Sequence, residues 1–159
     1  MGLVIEAKGV SKYFGRRKVL QGLDIKVGQG EISALMGPNG SGKTTLLRIV
    51  AGLLQPSSGD VLLGGRSIFD DEMAARRSVG LVGHSAYTYE DLTSLENLKF
   101  YWLMNGLPSR DFEQAGQAML RRVGLAHRMN DRVAVFSKGM GQRLAIARAL
   151  IHSPKILLL

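Results

Sequence analysis

The sequence predicts an α/β protein, on three observations. Short apolar runs separated by Gly-containing turns fill the first third of the chain. A Gly-rich loop, "MGPNGSGKTT" (36–45), lies between a predicted strand and a predicted helix. From Thr93 the apolar period becomes helical, and the chain then closes on one more apolar run.

Each element has its own signal. "LVIEAKGV" (3–10), "LDIKV" (23–27) and "EISALM" (31–36) read as strands. A helix is expected from Thr44 to Ala51, ending near Gly52; "DVLLGG" (60–65) and the buried "SVGLVG" (78–83) read as further strands. "TSLE" (93–96) has capping-box form, with Thr93 and Glu96 exchanging hydrogen bonds across the first turn. Leu95, Leu98 and Trp102 then share one face, and Gly106 ends that helix. A second helix is expected from near Ser109, with Phe112, Ala115, Met119 and Val123 on its inner face. A third runs from about Lys138 to His152, with Leu144, Ala147 and Ile151 inward, and Pro154 marks its stop. "ILLL" (156–159) reads as a buried strand whose apolar run needs no alternation.

The 159 residues suit one domain, with 45% apolar and 21% charged content. No apolar run approaches the ~18 residues that cross a membrane, and no signal peptide is expected at the start. Absence of cysteine excludes disulfides and thiolate metal sites, and fits a cytoplasmic setting. The net charge of +8 is scattered, as in "GRRK" (15–18), with no basic tail, so nucleic acid is not an expected partner.

The loop carries the chemistry. Gly37, Gly42, Lys43 and Thr44 match G-x-x-x-x-G-K-[ST] in the strand–loop–helix context that motif requires. Gly37, Gly40 and Gly42 let the backbone curl without a Cβ in the way, so the loop from Gly37 through Pro38, Asn39, Gly40 and Ser41 to Thr45 wraps an anion at a helix N-terminus, with every residue but Pro38 offering an amide N–H. Lys43 reaches the β- and γ-phosphates, Thr44 offers a hydroxyl to Mg²⁺, and Thr45 one to the α-phosphate. The ligands so implied are a nucleoside triphosphate and Mg²⁺; kinases, GTPases, motors and transport ATPases all carry such a loop, and the choice of ATP comes from the resemblance that follows.

A second stretch narrows the class. "FSKGMGQRLAIARALIHSPKILLL" (136–159), taken with "GPNGSGKTT", resembles the ATP-binding cassette (ABC) family, whose signature usually reads Leu-Ser-Gly-Gly-Gln before a Gln/Arg-rich helix. Ser137 sits where an N-cap belongs, so its hydroxyl and the amide of Gly139 are suited to a phosphate. In that family ATP is sandwiched between the phosphate loop of one domain and the signature of another. The resemblance therefore implies that Ser137 and Gly139 act in trans, in a head-to-tail homodimer or with a paired ABC subunit. Lys138 and Met140 depart from the usual Gly and Gln. The fold so implied is a P-loop NTPase of ABC type: a parallel-sheet core, an N-terminal antiparallel β subdomain and a helical signature subdomain.

The resemblance covers residues 1–159 and implies a single, incomplete domain. Its ATP-binding core is 1–83 with the loop at 37–44, its Q-loop region 84–93, its helical subdomain 94–151 with signature 136–140, and its Walker B strand starts at 155–159. It assigns adenine stacking to Phe14, the aromatic just before Gly15 in "KYFGRRKVLQGLDIKV"; core packing is the competing reading for that ring. His84 stands where the family usually has the Gln that touches metal and attacking water, and the surface from Ala86 to Asp91, with Tyr87 and Tyr89, is where an integral membrane permease subunit docks. The next residue after Leu159 is expected to be the Mg²⁺-shell Asp, so the catalytic Glu and switch His fall outside this sequence. The segment is then expected to bind ATP without hydrolysing it. The resemblance implies an ATPase on the cytoplasmic, inner face of the cell membrane.

"GHSAYTYEDLTSLENLKFY" and "FSKGM" further resemble the ATP-binding subunits of haem export in bacterial cytochrome c maturation. "SKGM" also occurs in exporters for drugs, lipids and copper-enzyme assembly. The rival reading is a soluble, non-transport cassette ATPase of DNA repair, translation or iron–sulfur assembly; repair types carry long coiled coils and translation types two cassettes, patterns not expected from this sequence.

Overall fold

The computed structural model describes residues 3–83 and 88–159, in two compact units that divide between Arg76 and Arg77. In the first, β1 (Leu3–Phe14) and β2 (Arg17–Gly28) form a long antiparallel hairpin. β3 (Ser58–Leu63) pairs antiparallel with the other edge of β1, and β4 (Arg66–Ser67) with β3, giving the order β2-β1-β3-β4. Ile5, Ala7, Val10 and Val61 are buried from this sheet; Ile5 and Ala7 follow the strand's alternation, and the register shift between Ala7 and Val10 displaces it by one residue. The expected strand at 3–10 thus extends to Phe14, and that at 23–27 begins already at Arg17.

One expected strand does not form. Residues 31–36 have no ladder partner among the described residues and are exposed throughout, Ile32 by 98%. A strand exists only through pairing, and no described strand lies beside 31–36; the turn before it is closed locally. The Glu31 carboxylate accepts the Gly28 amide at 2.7 Å and the Ser33 hydroxyl at 2.9 Å, while the Glu31 amide donates to Gly28 O. Those two side-chain bonds, the Gly28 amide first, hold the Glu31 carboxyl below its ordinary pKa.

Two short elements lie outside the predicted ones: β4, and α2 (Glu72–Ser78), whose first turn is held by Asp71 Oδ1 accepting from the Ala74 amide at 3.0 Å. The "DDE" before an Ala/Arg run was the available signal.

The second unit joins a parallel pair to a helical cluster. β5 (Val79–Leu81) and β6 (Ile156–Leu158) run parallel with Val79 opposite Ile156. α3 (Ser94–Met104), α4 (Phe112–Arg122) and α5 (Lys138–Leu150) pack through Leu98, Trp102, Phe112, Met119, Leu120, Leu144, Ala147 and Ile151. Leu95, Ala115 and Val123 lie partly buried against the same cluster, so the predicted inner faces are the observed ones. Residues 109–111 form a 3₁₀ turn, and the helix proper begins at Phe112. The "ILLL" run is not uniformly buried: Leu157 is 42% and Leu159 77% exposed, whereas Ile156 and Leu158 are buried. Among the described residues β6 pairs with β5 alone, and its side chains alternate between a packed and an open face.

The capping box of α3 has both halves. The Glu96 amide donates to Thr93 Oγ1 at 3.2 Å, and the Thr93 amide donates to Glu96 Oε2 at 2.8 Å. Buried Asn97 continues it, accepting from the Tyr89 amide and donating to the carbonyls of Tyr89 and Thr93, which fixes the turn leading into α3. Thr93→Ala is expected to cost about 1 kcal/mol in a urea melt. The bonds from Thr93, backbone first, hold the Glu96 carboxyl below its ordinary value of 4.5. Its folded pKa is the lower one, so this stabilisation is present above about pH 4.5 and is lost as pH falls below it. The Thr93→Ala deficit therefore shrinks on acidification; a deficit independent of pH would show that the carboxylate takes no part.

Candidate functional site

The Gly-rich loop sits ahead of α1 (Lys43–Val50), one residue earlier than expected, with Ala51 as C-cap and Gly52 at φ 67° ending the turn. The N-cap is Gly42, at φ 94°. An ideal Cβ there would lie 2.8 Å from Leu20 Cδ2 and 3.0 Å from Val19 O, so glycine serves both the left-handed turn and the close approach of β2. No side chain caps α1 and its first turn holds no acid. A helix start with free amides and no carboxylate suits an anionic ligand.

Within the loop, Gly37, Pro38, Asn39, Gly40, Ser41 and Thr44 are exposed, and Lys43 and Thr45 are half-buried. The Ser41 amide donates to Pro38 O at 3.3 Å, closing the turn. The Lys43 ammonium folds back over it, donating to Gly37 O at 2.6 Å and Pro38 O at 2.8 Å. Lys43 therefore lies over the turn at Gly37 and Pro38.

Phe14 ends β1 opposite Arg17, the first residue of β2. Its ring is 50% exposed, with the Lys12 ammonium 5.3 Å from the centroid; that ammonium is held by Gln55 O at 2.7 Å. Half-exposure removes the core-packing reading for Phe14. The hairpin end lies beside the loop: Arg17 Nη2 is 3.9 Å from the point a Cβ on Gly40 would occupy. Arg17 is a residue the sequence reading passed over, because "GRRK" reads as solvated charge until the hairpin register is known.

The signature lies in the second unit. Ser137 is the N-cap of α5, its hydroxyl accepting from the Met140 amide at 3.3 Å. Ser137, Lys138 and Gly139 are exposed, and a Cβ on Gly139 would meet nothing within 4 Å. Phe136 and Met140 are partly buried against the helical cluster and anchor the segment. Further along α5, Arg148 Nη2 donates to Leu81 O at 2.7 Å and its guanidinium lies 4.9 Å from the Tyr101 ring centroid. His152 Nε2 lies 3.3 Å from Val79 O, and burial holds its pKa below the ordinary value. The neutral ring thus gives its Nε2 proton to that carbonyl. These two side chains occupy carbonyls of β5 at 79 and 81, where β6 does not bond. His84, Ala86 and Tyr87 lie outside the described residues. Tyr89 is 48% exposed and packs edge-on against Phe100 at 4.9 Å.

An uncapped, glycine-led helix start after G-x-x-x-x-G-K-T, in an α/β chain with an antiparallel β part and a helical part, defines a P-loop nucleotide-binding protein. The ABC transporter family model matches residues 20–159, and the chain belongs to that family. The glutamine transport ATP-binding protein GlnQ of Escherichia coli K12 is 40% identical over 98% of this chain and 66% of its own length. The linearmycin resistance ATP-binding protein LnrL of Bacillus subtilis is 33% identical over 98% of this chain and 50% of its own. The lipoprotein-releasing system ATP-binding protein LolD of Geobacter metallireducens is 38% identical, over 99% and 74%. A solved ATP-binding subunit of an ABC transporter superposes with TM-score 0.86 at 30% identity, covering 97% of this chain and 64% of that one. The structure of cbiO1 from Clostridium perfringens, part of the ABC transporter complex cbiONQ, superposes at 0.82 with 26% identity, over 99% and 64%. The chain thus spans about two thirds of GlnQ and half of LnrL. The fold is the P-loop NTPase fold of ABC type.

Proposed function

We propose that the chain is the ATP-binding part of an ABC transporter subunit that couples ATP binding and hydrolysis to export through a separate integral membrane permease. The observation that carries this reading is the start of α1: free amides, no acidic side chain, and the Lys43 ammonium over the loop. In this reading the amides of Gly40 to Thr45 and the Lys43 ammonium bind the β- and γ-phosphates. The Thr44 hydroxyl holds Mg²⁺, which neutralises phosphate charge when bound, and Phe14 stacks on adenine. Ser137 and Gly139 complete the site of a second domain in a head-to-tail dimer, at the inner face of the membrane. Among the described residues no helix is long and apolar enough to cross a membrane.

The finer reading, haem export for cytochrome c maturation, rests on "GHSAYTYEDLTSLENLKFY" and "FSKGM". A second reading, export of a drug or lipid-linked cargo, draws on the relatives named for linearmycin resistance and lipoprotein release. Co-purification with the membrane subunit and identification of that subunit decides between them; a partner unrelated to cytochrome maturation removes the haem reading. Phe14→Ala is expected to weaken Mg·ATP binding about tenfold by calorimetry, in line with base–aromatic stacking, and Tyr13→Ala to leave it within about twofold. The reverse order would move adenine stacking to Tyr13.

A further inference from the structure

The Lys43 ammonium is engaged by two loop carbonyls, yet a nucleotide triphosphate brings three to four negative charges to this loop. The structure places one more cation there. Arg17 is exposed, and among the described residues no carboxylate pairs with it. Two independent contacts set its position. Its Cα partner across the hairpin is Phe14. The residues that follow it in β2, Val19 and Leu20, are packed against Gly42 so closely that a Cβ there would lie 2.8 Å from Leu20 Cδ2. The guanidinium is therefore carried on a strand braced against the start of α1, with Nη2 3.9 Å from the Cβ position of Gly40. Lys18, the next residue, faces the other side of the ladder and is opposite Tyr13.

We propose that Arg17 is a second phosphate-binding cation of this site, bridging the hairpin that carries Phe14 to the phosphate loop by bonding the phosphate chain of the bound nucleotide. This rests on the reading of residues 37–45 as a nucleotide site. A planar guanidinium suits the role because it offers paired N–H donors to two phosphate oxygens at once, whereas an ammonium binds as a point charge. Its place between Phe14 and Gly40 matches a ligand that lays its base on one and its phosphates on the other.

The test is calorimetry of the chain with Mg·ATP and AMP, for wild type, Arg17→Gln, Arg17→Lys and Lys18→Gln. Arg17→Gln is expected to weaken Mg·ATP about tenfold and AMP less, with melting temperature unchanged because the side chain is exposed. Arg17→Lys recovers part of the loss. Lys18→Gln changes affinity by less than about twofold, as distant surface charge does in physiological salt. Unchanged Mg·ATP affinity in Arg17→Gln, or an equal loss in Lys18→Gln, overturns the role of Arg17 while the nucleotide site stands. A wild-type chain that is folded yet binds no Mg·ATP overturns the nucleotide site itself, and Arg17 with it.

Discussion

Lys43→Ala is expected to abolish Mg·ATP binding, a loss on the order of a hundredfold or more. The ammonium folds directly over the loop, 2.6 Å from Gly37 O and 2.8 Å from Pro38 O. Its removal takes away the cation that faces the β- and γ-phosphates and also the two bonds that hold the loop closed. Lys43→Met separates these effects from simple loss of bulk, since it keeps the stem and loses the charge. Both variants should melt within a few degrees of wild type, because the loop is exposed and contributes little burial. Calorimetry is the measurement. Equal affinity for Mg·ATP in wild type and Lys43→Ala would remove the phosphate-loop assignment, and with it the proposed function.

The second large effect lies in the other unit. Gly80, in the middle of β5, is crossed by α5 so closely that an ideal Cβ would lie 2.3 Å from Ala149 O and 2.9 Å from Pro154 Cγ. The first obstacle is helix backbone, which has no rotamer to yield. Gly80→Ala must therefore push β5 and α5 apart. That movement strains the 2.7 Å bond from Arg148 to Leu81 O and the contact of His152 with Val79 O. Destabilisation of about 3 kcal/mol is expected, the upper end for overpacking, and a large fraction of a typical domain's stability. Trp102 is the chain's single tryptophan and is buried in the helical cluster of the same unit, so its fluorescence in urea reports this loss. Gly141, inside α5 with nothing within 4 Å of its Cβ position, is the control. Gly141→Ala should stabilise by about 0.5–1 kcal/mol through helix propensity. A Gly80→Ala midpoint equal to wild type would mean that β5 and α5 are not held at this distance.

Much of the helical unit was legible because its signals are local. Thr93 and Glu96 are three residues apart and cap each other whatever surrounds them. Leu98 and Trp102, or Leu144, Ala147 and Ile151, fall on one face by helical period alone. Strands are less legible, since a strand is completed by a partner that the sequence does not name. "EISALM" has strand composition, yet no described strand pairs with 31–36. "ILLL" reads as a buried strand; Ile156 and Leu158 are buried and Leu157 is 42% exposed, and among the described residues β6 pairs with β5 alone.

The sequence by itself determined the chemistry of the phosphate loop. Gly37, Gly42, Lys43 and Thr44 follow one another along the chain, so their spacing is their geometry, and the amides they present depend on short-range backbone freedom. It also determined the cap of α5 at Ser137, for the same reason. Tertiary structure alone decided what stands next to the loop. Arg17 and Gly40 are far apart in sequence and meet only because the β1–β2 hairpin fixes Phe14 opposite Arg17 and packs Val19 and Leu20 on Gly42. It alone decided that Gly80 must be glycine, because Ala149 reaches it only when α5 folds back across β5. Contacts of that kind depend on pairing and packing between distant segments, and no local pattern of residues encodes them.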